Sequence, residues 1–79
     1  MPAIDKANIL IIATDGFEDS ELLEPRKRLL EAGARVVLAS PDTREIEGDK
    51  GATISPDRRI DDVDAQLFDA LLIPGGTKN

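Results

Sequence analysis

The chain has 79 residues, and its 16 acidic against 10 basic side chains give a net charge of -6 at pH 7. This charge argues against a nucleic-acid partner, because binding to phosphates requires clustered Lys and Arg, while a hydrophobic content of 41% is that of a small globular domain and not of a disordered segment. The chain has no cysteine and no histidine, which excludes a disulfide, a thiol nucleophile and the usual general base, so we predict no cofactor and no metal site.

A buried strand and a helix are the first predicted elements. Residues 8–13 (NILIIA) form a continuous apolar run ended by the turn sequence TDG, a pattern typical of a strand buried on both faces. Helical spacing follows from Asp19 or Ser20, either of which is a suitable N-cap, and Gly33 is the predicted C-terminal cap. Pro25 lies beyond the first turn, so we expect either a kink there or a later helix start with Pro25 at the first position.

The rest of the chain predicts two more buried strands and a hairpin. Residues 35–40 (RVVLAS) read as a second strand, which completes a right-handed βαβ unit with parallel strands. Residues 44–47 and 52–55 flank the turn sequence GDKG and predict a β-hairpin that projects from the sheet edge. Residues 61–66 have room for about one helical turn. A third strand, residues 68–73 (FDALLI), ends at Pro-Gly-Gly.

These elements predict an α/β fold in which residues 1–79 form one unit: a parallel sheet with one main crossover helix and a β-hairpin. Parallel strands that are apolar on both faces need helices on both faces, but the pattern supplies only one substantial helix. One face of the sheet therefore lacks a cover. We expect either a downstream half or another copy of the chain to supply it.

A candidate site lies at the carboxyl ends of the strands, where open α/β sheets bind their ligands. Residues 14–21 and the Pro-Gly-Gly turn should converge there. Glu18 and Glu21, three residues apart, would share a helix face, and neighbouring carboxylates favour protonation of one of them; an exposed pair of solvated acids is the alternative. Gly75 and Gly76 could direct backbone N–H groups at an anion, although a tight turn is the alternative.

The other charged residues have simpler interpretations. Asp15 and Asp19 lie near a helix N-terminus, where capping and the helix dipole favour acids. Arg58 and Arg59 stand among aspartates and are predicted to form a solvated surface of mixed charge. Neither glycine-rich phosphate-binding fingerprint occurs in the sequence, so nothing supports nucleotide binding.

Two long segments resemble the first half of the DJ-1/PfpI (ThiJ/PfpI) family, more particularly its PfpI-like stress-protein branch. They are NILIIATDGFEDSELLEPRKRLLEAGARVVLAS and GDKGATISPDRRIDDVDAQLFDALLIPGG, within which DGFEDSEL and FDALLIPGG are the most specific pieces. The resemblance covers about residues 8–76. It implies a flavodoxin-like half-domain and a homo-oligomer, a dimer or hexamer, with the first helix and the hairpin at the dimer contact.

The resemblance also implies a cysteine-dependent activity: deglycation of glyoxal-modified proteins, glyoxalase chemistry or a PfpI-type peptidase, with a small aldehyde or a glycated protein as substrate of the full-length enzyme. Glu21 matches the family glutamate that hydrogen-bonds to the cysteine sulfur, and Glu18 matches a second acidic position near the pocket. Gly75 and Gly76 match the backbone of the oxyanion site. The cysteine itself is absent, so these roles would be vestigial in this chain alone.

Three interpretations stay open. The chain is a truncated or engineered half-domain, inert alone and self-associating; or it is a segment of a longer cysteine-dependent enzyme; or it is a non-catalytic module that docks another protein on its apolar sheet face. The sequence has no signal peptide and no apolar run near the ~20 residues that span a bilayer, so we expect a cytoplasmic protein with no membrane partner.

Overall fold

A computed structural model describes residues 3–75 of the chain. These residues form six strands and one α-helix, in the order β1 Asn8–Ile12, α1 Asp19–Glu31, β2 Arg35–Ser40, β3 Ile46–Glu47, β4 Thr53–Ile54, β5 Arg58–Arg59 and β6 Ala70–Leu72. Short 3-10 helices occupy Ile4–Lys6, Ile60–Asp62 and Ala65–Leu67. The helical turn expected over residues 61–66 is therefore two 3-10 helices separated by Val63 and Asp64.

The main sheet has four parallel strands in the order β5-β2-β1-β6. Ile11 in the central strand pairs with Leu38 on one side and Leu72 on the other, so apolar residues of three strands share one face. This confirms the predicted parallel α/β sheet. Ile9, Leu10 and Ile11 are all buried, because the central strand has neighbours on both sides and chain packed on both faces.

Arg58 and Arg59 lie on a solvated surface of mixed charge, as predicted, with Arg59 3.4 Å from Asp61, but they also form strand β5, which the sequence did not predict. Arg58 pairs with Ala39 at the end of β2, although both arginine side chains stay exposed. The strand is held by Asp57, whose N–H donates to the Leu38 carbonyl at 2.8 Å and whose carboxylate accepts the Leu38 N–H at 2.8 Å. Two arginines give no apolar pattern, so this pairing was not predicted from the sequence.

Helix α1 begins one residue earlier than expected and runs through its proline. Glu18 is the N-cap, in place of Asp19 or Ser20, and its carboxylate accepts the Ser20 N–H at 3.2 Å. The alternative start at Pro25 is wrong, since the helix is continuous from Asp19 to Glu31. Packing of the apolar side of α1 on the sheet, with Leu22 fully buried, favours the helix over the local cost of proline.

The C-terminus of α1 confirms the predicted glycine cap. Gly33 has a φ of 93°, a conformation that glycine adopts readily. Its N–H donates to the Leu30 carbonyl at 3.0 Å, and the N–H of Ala34 donates to the Leu29 carbonyl at 3.0 Å. This pair of bonds is a Schellman motif, which stops the helix and returns the chain to the sheet.

The predicted hairpin is present, formed by β3 and β4 with Ile46 opposite Ile54. It does not project from the sheet edge, because Ile46 is buried in the core formed by the sheet and α1. Backbone bonds also tie it to the chain after β1: the Gly16 N–H donates to the Glu47 carbonyl at 2.8 Å. The hairpin therefore lies beside the carboxyl end of β1.

One sheet face is covered by α1, and on the other face the connection over residues 60–69 lies beside Leu10 and Val37. Within residues 3–75, α1 is the only α-helix. Leu67, Leu71 and Ile73 are 70%, 56% and 61% exposed, which is unusual for large apolar side chains. No helix in the described part of the chain is long and apolar enough to span a bilayer.

Candidate functional site

The chain after β1 and the turn after β6 meet at one edge of the sheet, as the sequence predicted. The Glu18 N–H donates to the Gly75 carbonyl at 2.7 Å, and the Gly75 N–H donates to Oε1 of Glu21 at 2.9 Å. The two segments meet because β1 and β6 are parallel neighbours, so their carboxyl ends lie at the same edge.

Glu21 lies in the first turn of α1 and reaches over the turn at Gly75. A Cβ atom on Gly75 would lie 2.8 Å from Oε1 and 3.4 Å from Oε2 of Glu21, so the carboxylate takes the space that any other residue would fill. The Gly75 N–H, expected to face an anion, donates to Glu21 in this arrangement. Gly76, the second glycine of the predicted oxyanion site, lies outside the described residues.

Glu18 has a different environment from Glu21. Its backbone is extended, with φ -76° and ψ 117°, so it precedes the helix and the two glutamates do not share a helix face as expected. Its carboxylate accepts the Ser20 hydroxyl at 2.9 Å and pairs with Nζ of Lys50 at 3.8 Å. An N-cap must leave helical geometry, which turns Glu18 toward the hairpin while Glu21 faces Gly75.

The hairpin is held by two aspartates that the sequence had suggested for helix capping. Asp15 accepts the Glu47 N–H at 2.9 Å. Asp19 accepts the N–H of Lys50 at 3.1 Å and that of Ala52 at 3.0 Å, one on each carboxylate oxygen. The Lys50 N–H lowers the pKa of Asp19 below its usual value; desolvation opposes this, and the Ala52 N–H adds to it.

Gly48 shows how closely the hairpin turn approaches Asp19. A Cβ atom there would collide with the Asp19 carboxylate and would lie 2.8 Å from Cε2 of Phe17. The clamp formed by Asp15, Asp19 and Gly48 was missed by sequence reasoning, since its bonds join residues more than 30 positions apart. Across residues 3–75, no group of three or more acidic side chains is placed to hold a metal ion.

The sequence and the fold match a known family. The model of the DJ-1/PfpI family matches residues 7–79. The chain belongs to the DJ-1/PfpI family. Curated relatives include Deglycase TK1284 of Thermococcus kodakarensis, 46% identical over 68 residues, and a putative cysteine protease, YraA, of Bacillus subtilis, 46% identical over 69 residues. General stress protein 18 of Bacillus subtilis is 44% identical over 70 residues.

Each of these matches covers 86% of this chain but only 41% of the relative, so the chain spans about two fifths of their length. Solved DJ-1/PfpI structures show the same partial coverage. Oxidized DJ-1 of Toxoplasma gondii gives a TM-score of 0.83 at 30% identity, over 91% of this chain and 40% of that one. A ThiJ/PfpI domain protein of Brachyspira murdochii gives 0.83 at 30% identity, over 91% and 42%. The fold is that of a DJ-1/PfpI flavodoxin-like half-domain.

Proposed function

We propose that this chain supplies the glutamate-bearing part of the active site of a cysteine-dependent DJ-1/PfpI enzyme and is catalytically inert by itself. The observation that carries the proposal is the position of the Glu21 carboxylate, held over the carboxyl ends of β1 and β6 by the Gly75 N–H. The 79 residues contain no cysteine and no histidine. The nucleophile must therefore come from outside them.

The geometry of Glu21 suits this role. Oε1 accepts the Gly75 N–H, whereas Oε2 accepts no hydrogen bond from residues 3–75. Oε2 is therefore the oxygen left to contact a cysteine sulfur, and a carboxyl group that donates to a thiolate stabilises it and lowers the pKa of the thiol. Gly75 would border the same space, and Glu18, the second acidic residue of the proposed site, contacts Lys50 of the hairpin.

The proposed substrate is a small aldehyde or a protein adduct formed from one. Relatives of this chain carry the name deglycase, and another is named a putative cysteine protease. Both chemistries begin with attack of a thiolate on an electrophilic carbon, and both need a donor that keeps the sulfur ionised. We favour the deglycase chemistry, because the name recurs among several of the relatives.

Complementation tests the proposal. The 79-residue chain is produced with the part of the Thermococcus kodakarensis deglycase that the match leaves uncovered, and consumption of glyoxal is followed. We expect no consumption by the chain alone, consumption by the complemented protein, and loss of about 100-fold or more in kcat for Glu21→Gln. Glu24→Gln is the matched control, an exposed acid on the same helix. Consumption by the pure chain, or full activity of Glu21→Gln, would contradict the proposal.

A second role is supported by the exposed apolar residues at β6. We infer that the chain, when alone, self-associates and buries Leu67, Leu71 and Ile73 in a homo-oligomer. Docking of another protein on the same face is the competing possibility. Light scattering of the pure chain over a dilution series tests self-association: a mass above that of the monomer supports it, and a compact monomer at every concentration contradicts it.

A further inference from the structure

We infer that Asp19 is a positioning residue, which fastens the β3–β4 turn to the chain beside Glu18 and so holds the contact between Glu21 and Gly75 in place. The Asp19 carboxylate bonds to Lys50 and Ala52, and its hydrogen bonds reach neither Glu21 nor Gly75. Its effect on the site must therefore pass through the backbone. Its effect on catalysis rests on the function proposed above, but its effect on the backbone does not.

The chain around Glu18 is held from two sides. The Phe17 carbonyl accepts the Asp49 N–H at 2.8 Å, and Asp19 accepts two N–H groups of the same turn. Between them, the Glu18 N–H donates to the Gly75 carbonyl at 2.7 Å. Successive groups of an extended chain point in opposite directions, so the Phe17 carbonyl and the Asp19 carboxylate bind the hairpin while the Glu18 N–H binds the turn after β6.

Three features make Asp19 the main support of this arrangement. Its two bonds are charge-assisted, a class about twice as strong as neutral hydrogen bonds. The pKa of Asp19 is lowered by the Lys50 N–H, so the carboxylate is ionised at neutral pH. The other side-chain contact with this turn, between Lys50 and Glu18, is long at 3.8 Å, with a lysine side chain that is 74% exposed, and exposed pairs of this kind contribute little.

Loss of the Asp19 bonds should therefore loosen the site. Without the Asp19 bonds, the chain at Glu18 is held to the turn on one side only, by the bond between Phe17 and Asp49. The two hydrogen bonds that Gly75 makes with the start of α1 then weaken. The Gly75 N–H then donates to Glu21 for a smaller fraction of the time. The Glu21 carboxylate loses the bond that fixes its orientation over the strand ends.

Amide hydrogen exchange of the 15N-labelled chain tests this coupling. Asp19→Asn keeps the shape but leaves only one acceptor oxygen, and we expect exchange at Gly75 to accelerate by about tenfold, as well as at Lys50 and Ala52. Asp57→Asn is the matched control, because Asp57 also accepts a backbone N–H, that of Leu38. It should accelerate exchange at Leu38 and leave Gly75 unchanged.

A second variant covers the case in which Asp19→Asn does not fold. Gly48→Ala keeps the carboxylate but displaces it, since a Cβ atom there collides with it, and it should accelerate exchange at Gly75 in the same way. Fast exchange at Lys50 and Ala52 with unchanged protection of Gly75 would overturn the inference. Equal acceleration of Gly75 by Asp57→Asn would also overturn it, because the effect would then be general destabilisation.

Kinetics of the complemented protein give the readout that a purely structural role would not produce. We expect Asp19→Asn to lower kcat by about tenfold with little change in KM, because orientation of Glu21 affects the transition state more than substrate binding. Asp57→Asn should leave both constants unchanged. If the wild-type complemented protein is inactive, the proposed function fails, while the exchange experiment still decides whether Asp19 supports Gly75.

Discussion

Replacement of Gly75 by alanine separates the site from the stability of the fold. The added Cβ atom would lie 2.8 Å from Oε1 of Glu21, whereas ordinary contacts of a Cβ atom begin near 3.4 Å. The carboxylate must therefore move by at least about half an ångström, and in doing so it loses the hydrogen bond from the Gly75 N–H. A displacement approaching 1 Å in a catalytic group costs about 100-fold in rate.

The same substitution should cost little stability. The atom that must move is the end of an exposed, flexible side chain, so the loss is one hydrogen bond at the surface, about 1 kcal/mol. Alanine also restricts the unfolded chain relative to glycine, which offsets about 0.4–1 kcal/mol of that loss. We therefore expect Gly75→Ala to change the free energy of unfolding by less than about 1 kcal/mol.

Gly33→Ala is the control with the opposite result. Gly33 lies at the far end of α1, has a φ of 93°, and a Cβ atom there would lie 3.2 Å from Cβ of Asp5. The left-handed conformation costs alanine about 1–2 kcal/mol, but the site is untouched. In urea unfolding, Gly75→Ala should keep its free energy of unfolding and Gly33→Ala should lose part of it. In glyoxal consumption by the complemented protein, Gly75→Ala should be slow and Gly33→Ala fully active. A fully active Gly75→Ala would refute the role given to the Glu21 carboxylate.

Three further predictions concern the fold. Leu22→Ala should lower the free energy of unfolding by about 2–5 kcal/mol in urea titrations, because the Leu22 side chain of α1 is fully buried in the core. Ser40→Ala should be neutral or raise it by about 1 kcal/mol, since the buried Ser40 hydroxyl has no hydrogen-bond partner among residues 3–75. Because the pKa of Asp19 is lowered in the folded chain, its stabilising effect is fully present above the ordinary value of 3.8 and is lost as the pH falls further. Thermal unfolding should therefore show the difference between wild type and Asp19→Asn narrowing below that pH.

Aspartates placed before strands explain much of what the sequence did not reveal. Asp57 and Asp69 each precede a strand, and each binds the N–H and the carbonyl of a single residue on the neighbouring strand, Leu38 and Asn8 respectively. A carboxylate thus takes the place of a ladder bond at the start of β5 and of β6. An aspartate directly before a short strand is a signal that could have identified β5.

The elements that the sequence predicted correctly are those determined by residues that are close together in the chain. Strands β1, β2 and β6 follow from continuous apolar runs, and the end of α1 follows from Gly33, whose φ of 93° only glycine adopts readily. The convergence of residues 14–21 with the turn after β6 followed from topology, because parallel neighbouring strands end at the same edge. The hydrogen bonds of Asp15 and Asp19 could not be predicted from neighbouring residues, since their partners lie in the hairpin, more than 30 positions along the chain.

The most direct test of the central claim is the rate of glyoxal consumption by the chain complemented with the uncovered part of the Thermococcus kodakarensis relative, compared between wild type and Glu21→Gln. If the site is divided between the two pieces, neither piece alone should consume glyoxal. The mixture should consume it, and Glu21→Gln should abolish that activity. Activity that does not depend on the Glu21 carboxylate would contradict the claim that this chain contributes part of the active site.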